Sequence, residues 1–323
     1  MQNSEEWIFP ENLQPSKNRV AFDLERVIDA VVKVKTFVPD DAFTANILGT
    51  ERLGSGVLIN GEGLIVTIGY IITEAETIWV TANDGATYPA HIVGYDQASG
   101  FGLIQVSQPL NILPVPIEQH CSPQKNEEAY IVSFGGKKHS LTTKISDIRE
   151  FTGYWEYVLD EGIYTSPPHP QWGGAGLFNN MGNLVGIGSL LLQEGFERQQ
   201  QGNLVIPTSI LLPILDEMVR YGRSPDKPRP WLGMYTVDSE QKFFVSSLAP
   251  SGPAALAGIK EGDQILEVQG QKVNSLANLF RSVWKQGEAG VKISITVSRS
   301  GDVLRMEVIS ADRNDFLKKP RLH

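Results

Sequence analysis

The sequence is poor in the residues that most readily declare a chemistry. It has one cysteine, Cys121, so no internal disulfide can staple the fold, and with no second thiol nearby a redox or nucleophilic role is not indicated. The five histidines, His91, His120, His139, His169 and His323, form no HExxH and no cluster with acidic or thiol ligands, so neither a metal nor another cofactor is expected. Basic residues are outnumbered, 28 Lys and Arg against 37 Asp and Glu, and a formal charge of -9 argues against general capture of a phosphate backbone, although an acidic average can hide a local basic face. Nucleic acid is therefore not an expected partner. Long apolar runs are also missing: "ILLPIL" at 210–215 is far short of the about 20 residues a helix needs to cross a bilayer. The opening "MQNSEEWIFP" has acidic residues where a secretory leader carries basic ones. On these grounds no membrane anchor is expected and the cytoplasm is the expected compartment, with an extracytoplasmic location following only if the N-terminus is processed.

What is present is glycine (31), proline (19) and 41% hydrophobic residues over 323 positions, which reads as a loop-rich globular chain long enough for two domains. Residues 1–38 form an extension with a short helix: "VAFDLERVIDAVVKVKTFV" at 20–38 begins with helical spacing at Val20, Leu24, Val27 and Ile28 and ends in strand-like alternation. Short β segments follow, including "GSGVLIN", "GLIVTI", "TIWVTAN" and "GLIQVS", then "EAYIVSFG" and "NLVIPTS", separated by glycine, proline and Asn-Asp-Gly turns. This spacing predicts a mainly β domain over 39–222 made of two similar lobes. The proline-rich, charged "RSPDKPRP" at 223–230 predicts a linker, 231–312 a compact second domain, and 313–323 a polar tail.

In the second domain, Trp231-Leu232-Gly233-Met234 is followed by "GPAALAGIKEGDQILEVQGQKV" and an amphipathic helix around "LANLFRSVWKQ". Order and spacing together resemble the PDZ domain of the HtrA/Do family. Gly233 removes a Cβ where backbone amides would converge on a peptide's terminal carboxylate, and the strand from Met234 offers an edge for β-augmentation. Leu276, Leu279, Phe280 and Val283 recur three or four apart, so one helix face lines a pocket, serves the core, or does both; the sequence does not divide those duties. The resemblance implies binding of C-terminal or extended hydrophobic peptide segments.

Three stretches of the first domain, "GSGVLINGEGLIVT" (54–67), "NDGATYPAHIVGYD" (83–96) and "GLFNNMGNLVGIGS" (176–189), resemble the trypsin-like double β-barrel of the same family. Where the family carries its histidine, this chain has Tyr70; where it carries the orienting aspartate, Gly100; where it carries the nucleophilic serine, Gly173. A phenol with a reference pKa near about 10 cannot relay protons as imidazole does at neutral pH. The amides of Gln171, Trp172 and Gly173 remain as a residual oxyanion loop. Ser166 and His169 are hemmed by prolines and read as a surface loop rather than a replacement pair. The expectation is a pseudoprotease that binds peptides. Its rivals are a serine endopeptidase of the family and a structural or regulatory subunit of a mixed oligomer. The resemblance further implies oligomers, homotrimers among them.

Overall fold

The computed structural model describes residues 7–120, 122–193 and 201–319, so the expectations for Cys121 and His323 lie outside the described residues. The chain divides into two compact units. One contains the chain up to Arg149, Glu161–Pro225 and the segment from Lys318; the other contains Glu150–Asp160 and Asp226–Leu317. The expected 39–222 domain is thus interrupted, because Glu150–Asp160 packs with the second unit.

In the first unit, α1 (Leu24–Asp29) starts where the Asp23 carboxylate accepts the Arg26 amide at 3.2 Å, and it buries Leu24, Val27 and Ile28. Then come β1 (Val31–Phe37), α2 (Ala45–Leu48), β2 (Glu51–Leu58), β3 (Leu64–Ile68), α3 (Gly69–Ile72), β4 (Thr77–Thr81), β5 (Thr87–Tyr95) and β6 (Phe101–Val106). Their strands close into a barrel in the order β1-β2-β3-β6-β5-β4. A second barrel, β10-β11-β12-β9-β8-β7, is built from β7 (Glu128–Val132), β8 (Ser140–Gly153), β9 (Tyr157–Ser166), β10 (Gly176–Phe178), β11 (Leu184–Leu192) and β12 (Gly202–Pro207). Closure removes the exposed edges that so many short strands would otherwise present. The interiors are filled by alternating β-branched and aliphatic side chains such as Val34, Val57 and Ile104 in one barrel and Ile131, Leu177 and Val205 in the other. α4 (Leu215–Tyr221) ends this part of the chain at Gly222, whose φ of 77° suits only a residue free of Cβ crowding.

The second unit consists of β13 (Met234–Ser239), β14 (Lys242–Leu248), α5 (Pro253–Leu256), β15 (Gln264–Val268), β16 (Gln271–Lys272), α6 (Leu276–Trp284), β17 (Lys292–Arg299) and β18 (Asp302–Ile309). The sheet runs β13-β14-β15-β17-β18, with β16 paired to β15, so β13 is an edge strand. Ser275 caps α6, its Oγ accepting the Asn278 amide at 3.0 Å. The expected linker is not wholly free: the Pro228 carbonyl accepts the Ala289 amide at 2.9 Å, and the Arg229 guanidinium lies 4.7 Å over the Trp284 ring. The expected polar tail also begins inside this unit, since Phe316 packs its ring 4.8 Å from that of Trp231.

Candidate functional site

The structure brings Tyr70, Gly100 and Gly173 into one neighbourhood. α3 follows β3 without a loop, and its first amide, Gly69 N–H, donates to the Gly100 carbonyl at 2.8 Å. Gly100 itself has φ +85°, a conformation in which any side chain is strained. The far end of α3 is held by the buried Arg52, whose Nη1 donates to the carbonyls of Tyr70 (2.8 Å) and Thr73 (2.9 Å) while Nη2 reaches Thr44 Oγ1 at 2.7 Å. So anchored, Tyr70 extends its hydroxyl to donate to the Ser189 carbonyl on β11 at 2.9 Å. A Cβ placed on Gly173 would stand 2.9 Å from Tyr70 Oη, closer than such contacts normally occur. Burial holds the Tyr70 phenol well above its ordinary pKa, opposed by a hydrogen bond with the Trp172 side chain. The hydroxyl is therefore protonated near neutral pH, and its proton is committed to a backbone oxygen.

The loop leading to Gly173 is also internally bonded. Gln171 N–H donates to His169 Nδ1 at 3.0 Å, and Gln171 Oε1 accepts the Ser133 hydroxyl at 3.0 Å. Of the three amides that the sequence offers as an oxyanion loop, that of Gln171 is thus already engaged. The surface-loop expectation for His169 needs correction, because its side chain is fully buried. Its backbone N–H donates to Asn203 Oδ1 at 2.6 Å, and the rings of Trp7 and Phe9 meet its ring edge-on at 5.6 and 5.0 Å. Because Nδ1 accepts a hydrogen bond, Nε2 carries the proton and donates to the His139 carbonyl at 2.8 Å. Burial pushes the His169 pKa down to about 4, against the hydrogen bond to the His139 carbonyl, which favours the protonated ring, and with a smaller lowering from the charge of His139. Both ring nitrogens are occupied by backbone groups, so the imidazole is not paired with Ser166.

In the second unit, Gly233 adopts φ +71°, and a Cβ there would lie 3.0 Å from the Trp231 ring and 3.1 Å from Ala249 Cβ. This tight turn makes consecutive amides converge, and in the structure they converge on a carboxylate. Gly233 N–H donates to Glu156 Oε1 at 2.8 Å, Met234 N–H to the same oxygen at 3.2 Å, and Leu232 N–H to Oε2 at 3.1 Å. Burial pushes the Glu156 carboxyl up to about 7, against the three amide donors and Arg313, which favour the ionised form. The helix residues are divided as the sequence could not divide them: Leu279, Phe280 and Val283 are buried in the core with Leu232 and Met234, and Leu276 sits at its margin. Val158 joins the same apolar cluster. Glu156 is the participant that sequence reasoning missed, since it lies 76 residues from Leu232 in a hairpin turn with no local signature.

Among the described residues no three His, Cys, Asp or Glu side chains are grouped to hold a metal ion, and no helix is long and apolar enough to cross a membrane. The chain matches the trypsin-like peptidase domain family over residues 54–187 and the PDZ domain family over residues 230–309. It is 28% identical to the periplasmic pH-dependent serine endoprotease DegQ of Escherichia coli, a match covering 88% of this chain and 68% of that protein. It is 27% identical to the periplasmic serine endoprotease DegP of Salmonella typhimurium, covering 79% of this chain but only 56% of that protein. Against the chloroplastic Protease Do-like 1 of Arabidopsis thaliana the identity is 28%, covering 86% of this chain and 68% of that one. The chain thus spans between a little over half and about two thirds of these relatives' lengths. Solved structures similar in fold include the serine endoprotease from Yersinia pestis, with TM-score 0.53, 24% identity and coverage of 90% of this chain and 96% of that one. The HtrA-type protease AlgW with tripeptide gives TM-score 0.53 and 21% identity, covering 92% and 97%.

Proposed function

Because the chain belongs to the HtrA/Do family, with a trypsin-like peptidase domain followed by a PDZ domain, we propose that it is a pseudoprotease of that family whose output is peptide binding. Its PDZ domain captures the hydrophobic C-terminal or extended segment of another protein, and its double barrel serves as a scaffold.

The observation that carries this reading is the occupancy around residue 173. Tyr70 Oη lies 2.9 Å from where a side chain on Gly173 would begin, and its proton goes to the Ser189 carbonyl. A general base must accept a proton from its nucleophile and return it to the leaving group; a protonated phenol bonded to a carbonyl does neither. The engaged Gln171 amide further weakens any residual oxyanion stabilisation. On the binding side, support comes from the turn at Gly233, whose converging amides suit a carboxylate, and from the edge strand β13, which suits an added peptide strand.

Unfolded casein incubated with the purified protein is expected to remain uncut, with product masses checked against a contaminating protease. Gly173→Ser alone is expected to stay inactive, since its new side chain meets Tyr70 rather than a base. Dose-dependent cleavage by the repurified wild type would overturn the reading in favour of the family's serine endopeptidase activity. Assembly is proposed to follow the family's oligomeric habit, and sedimentation of the purified chain distinguishes a trimer from a subunit that needs a second partner. Cell fractionation decides between the cytoplasm and the periplasmic setting that the relatives' names carry.

A further inference from the structure

Within the second unit, residues 154–158 meet residues 232–236 and the apolar cluster at each point where an incoming peptide would be expected to touch it. The Glu156 carboxylate receives the amides of Leu232, Gly233 and Met234, the three donors a terminal carboxylate would use. Two residues before it, the Tyr154 carbonyl accepts Thr236 N–H at 3.0 Å, two residues beyond Met234 on β13. The turn thus makes one backbone hydrogen bond to the edge strand β13, at the place where an added peptide strand would accept one. Tyr154 also sets its ring 6.2 Å from that of Tyr235. Two residues after Glu156, Val158 enters the apolar cluster of Leu232, Met234, Leu279, Phe280 and Val283. The flanks are pinned to α6: Arg281 pairs with Glu150 at 2.6 Å and with Asp160.

From this coincidence of carboxylate, backbone hydrogen bond to the edge strand and apolar side chain, we infer that residues 154–158 are a tethered ligand that occupies the peptide site, so that an external peptide binds only by displacing it. The inference rests on the peptide-capture reading and adds its regulation. The segment is shaped for the task. Glu156 takes φ +59°, a left-handed conformation uncommon for glutamate, which turns the chain so that a side chain stands in for a chain terminus. Trp155 stacks on Tyr157 with ring centroids 5.8 Å apart and planes 18° from parallel, closing the turn on its other side. A site that is mostly self-occupied lowers apparent affinity for an outside ligand by the fraction of time it stands open. The partner must therefore bring both a carboxylate and an apolar terminal side chain to compete, and a peptide with a blocked terminus forfeits the loop.

The test uses the full chain and a fluorescein-labelled peptide, Phe-Thr-Gly-Tyr-Trp-Val, with a free C-terminal carboxylate. It copies residues 151–155 and replaces the Glu156 side chain by a true terminus. Fluorescence anisotropy is expected to show binding at least about tenfold tighter to Glu156→Ala than to wild type, as for a site open about a tenth of the time. Glu156→Gln shifts affinity in the same direction by less, and amidation of the peptide abolishes binding to both variants. Equal affinity of wild type and Glu156→Ala would overturn the tether while leaving peptide capture standing. Failure of every variant to bind, with unchanged far-UV circular dichroism and melting, would overturn peptide capture and the tether together. Hydrogen exchange provides a reading on the wild type itself: the Gly233 and Met234 amides exchange slowly there, and faster in Glu156→Ala with β14 and β17 still protected. Rapid exchange of those two amides in the wild type would refute the tether.

Discussion

At the scale of single residues, buried polar groups show what the packing demands of protonation. His169 is enclosed by Trp7, Phe9 and backbone partners, and its pKa is pushed down to about 4. An unfolded histidine titrates near about 6.5, so between those values the unfolded chain binds the proton and the folded chain does not. Stability therefore falls as pH drops through that window, by up to about 1.4 kcal/mol per pH unit from this group. Urea denaturation at pH 7 and pH 5 should show the loss, and His169→Gln should flatten that part of the profile even while lowering stability at pH 7. Tyr70 behaves in the opposite chemical sense: burial keeps its neutral form across the same range, so the scaffold around Gly173 should show no titration of the phenol.

At the scale of elements, the turn between β8 and β9 carries a buried carboxyl whose charge changes with pH. Docked, Glu156 has its pKa pushed up to about 7, while a solvated glutamate lies near about 4.3. The docked state thus holds the proton more tightly, and docking is favoured as pH falls through 7 toward the solvated value. Arg313, which favours the ionised form, and the phenols of Tyr235 and Tyr154 face the same region. The expected outcome is that the labelled peptide binds wild type more weakly at pH 5.5 than at pH 8. In Glu156→Ala that difference should be lost, with binding at both values read by anisotropy. An opposite slope would mean that the amide donors and Arg313 outweigh burial in setting the carboxyl's charge.

At the scale of the whole chain, the second unit takes in the tip of a barrel hairpin, the end of β8, the turn and the start of β9. A fragment cut at residues 226–317 lacks Glu150–Asp160, and with it Val158 of the apolar cluster and the partners of Arg281. Such a fragment is expected to melt several degrees below the corresponding transition in the full chain, and a synthetic peptide of residues 150–160 should raise its melting temperature in a dose-dependent way. Calorimetry of the fragment with and without peptide checks this. A fragment as stable as the unit in the intact chain would show that the hairpin residues add no binding energy there.

Much of the architecture was legible in the sequence because it is encoded locally. Short alternating segments and glycine turns mark the strands, while the double barrel and the PDZ domain are what the resemblance carried by the Gly-Ser-Gly strand and by Trp231-Leu232-Gly233-Met234 with the later amphipathic helix implies. Tertiary structure alone decided which distant groups meet those local features. Tyr70 finds its acceptor 119 residues away at Ser189, His169 is buried by Asn203 and by rings from the N-terminal segment, and Glu156 fills a loop 76 residues downstream. Strand closure and chain return set these pairings. A hydrogen bond needs placement within about 3 Å, which no periodicity in the sequence reports.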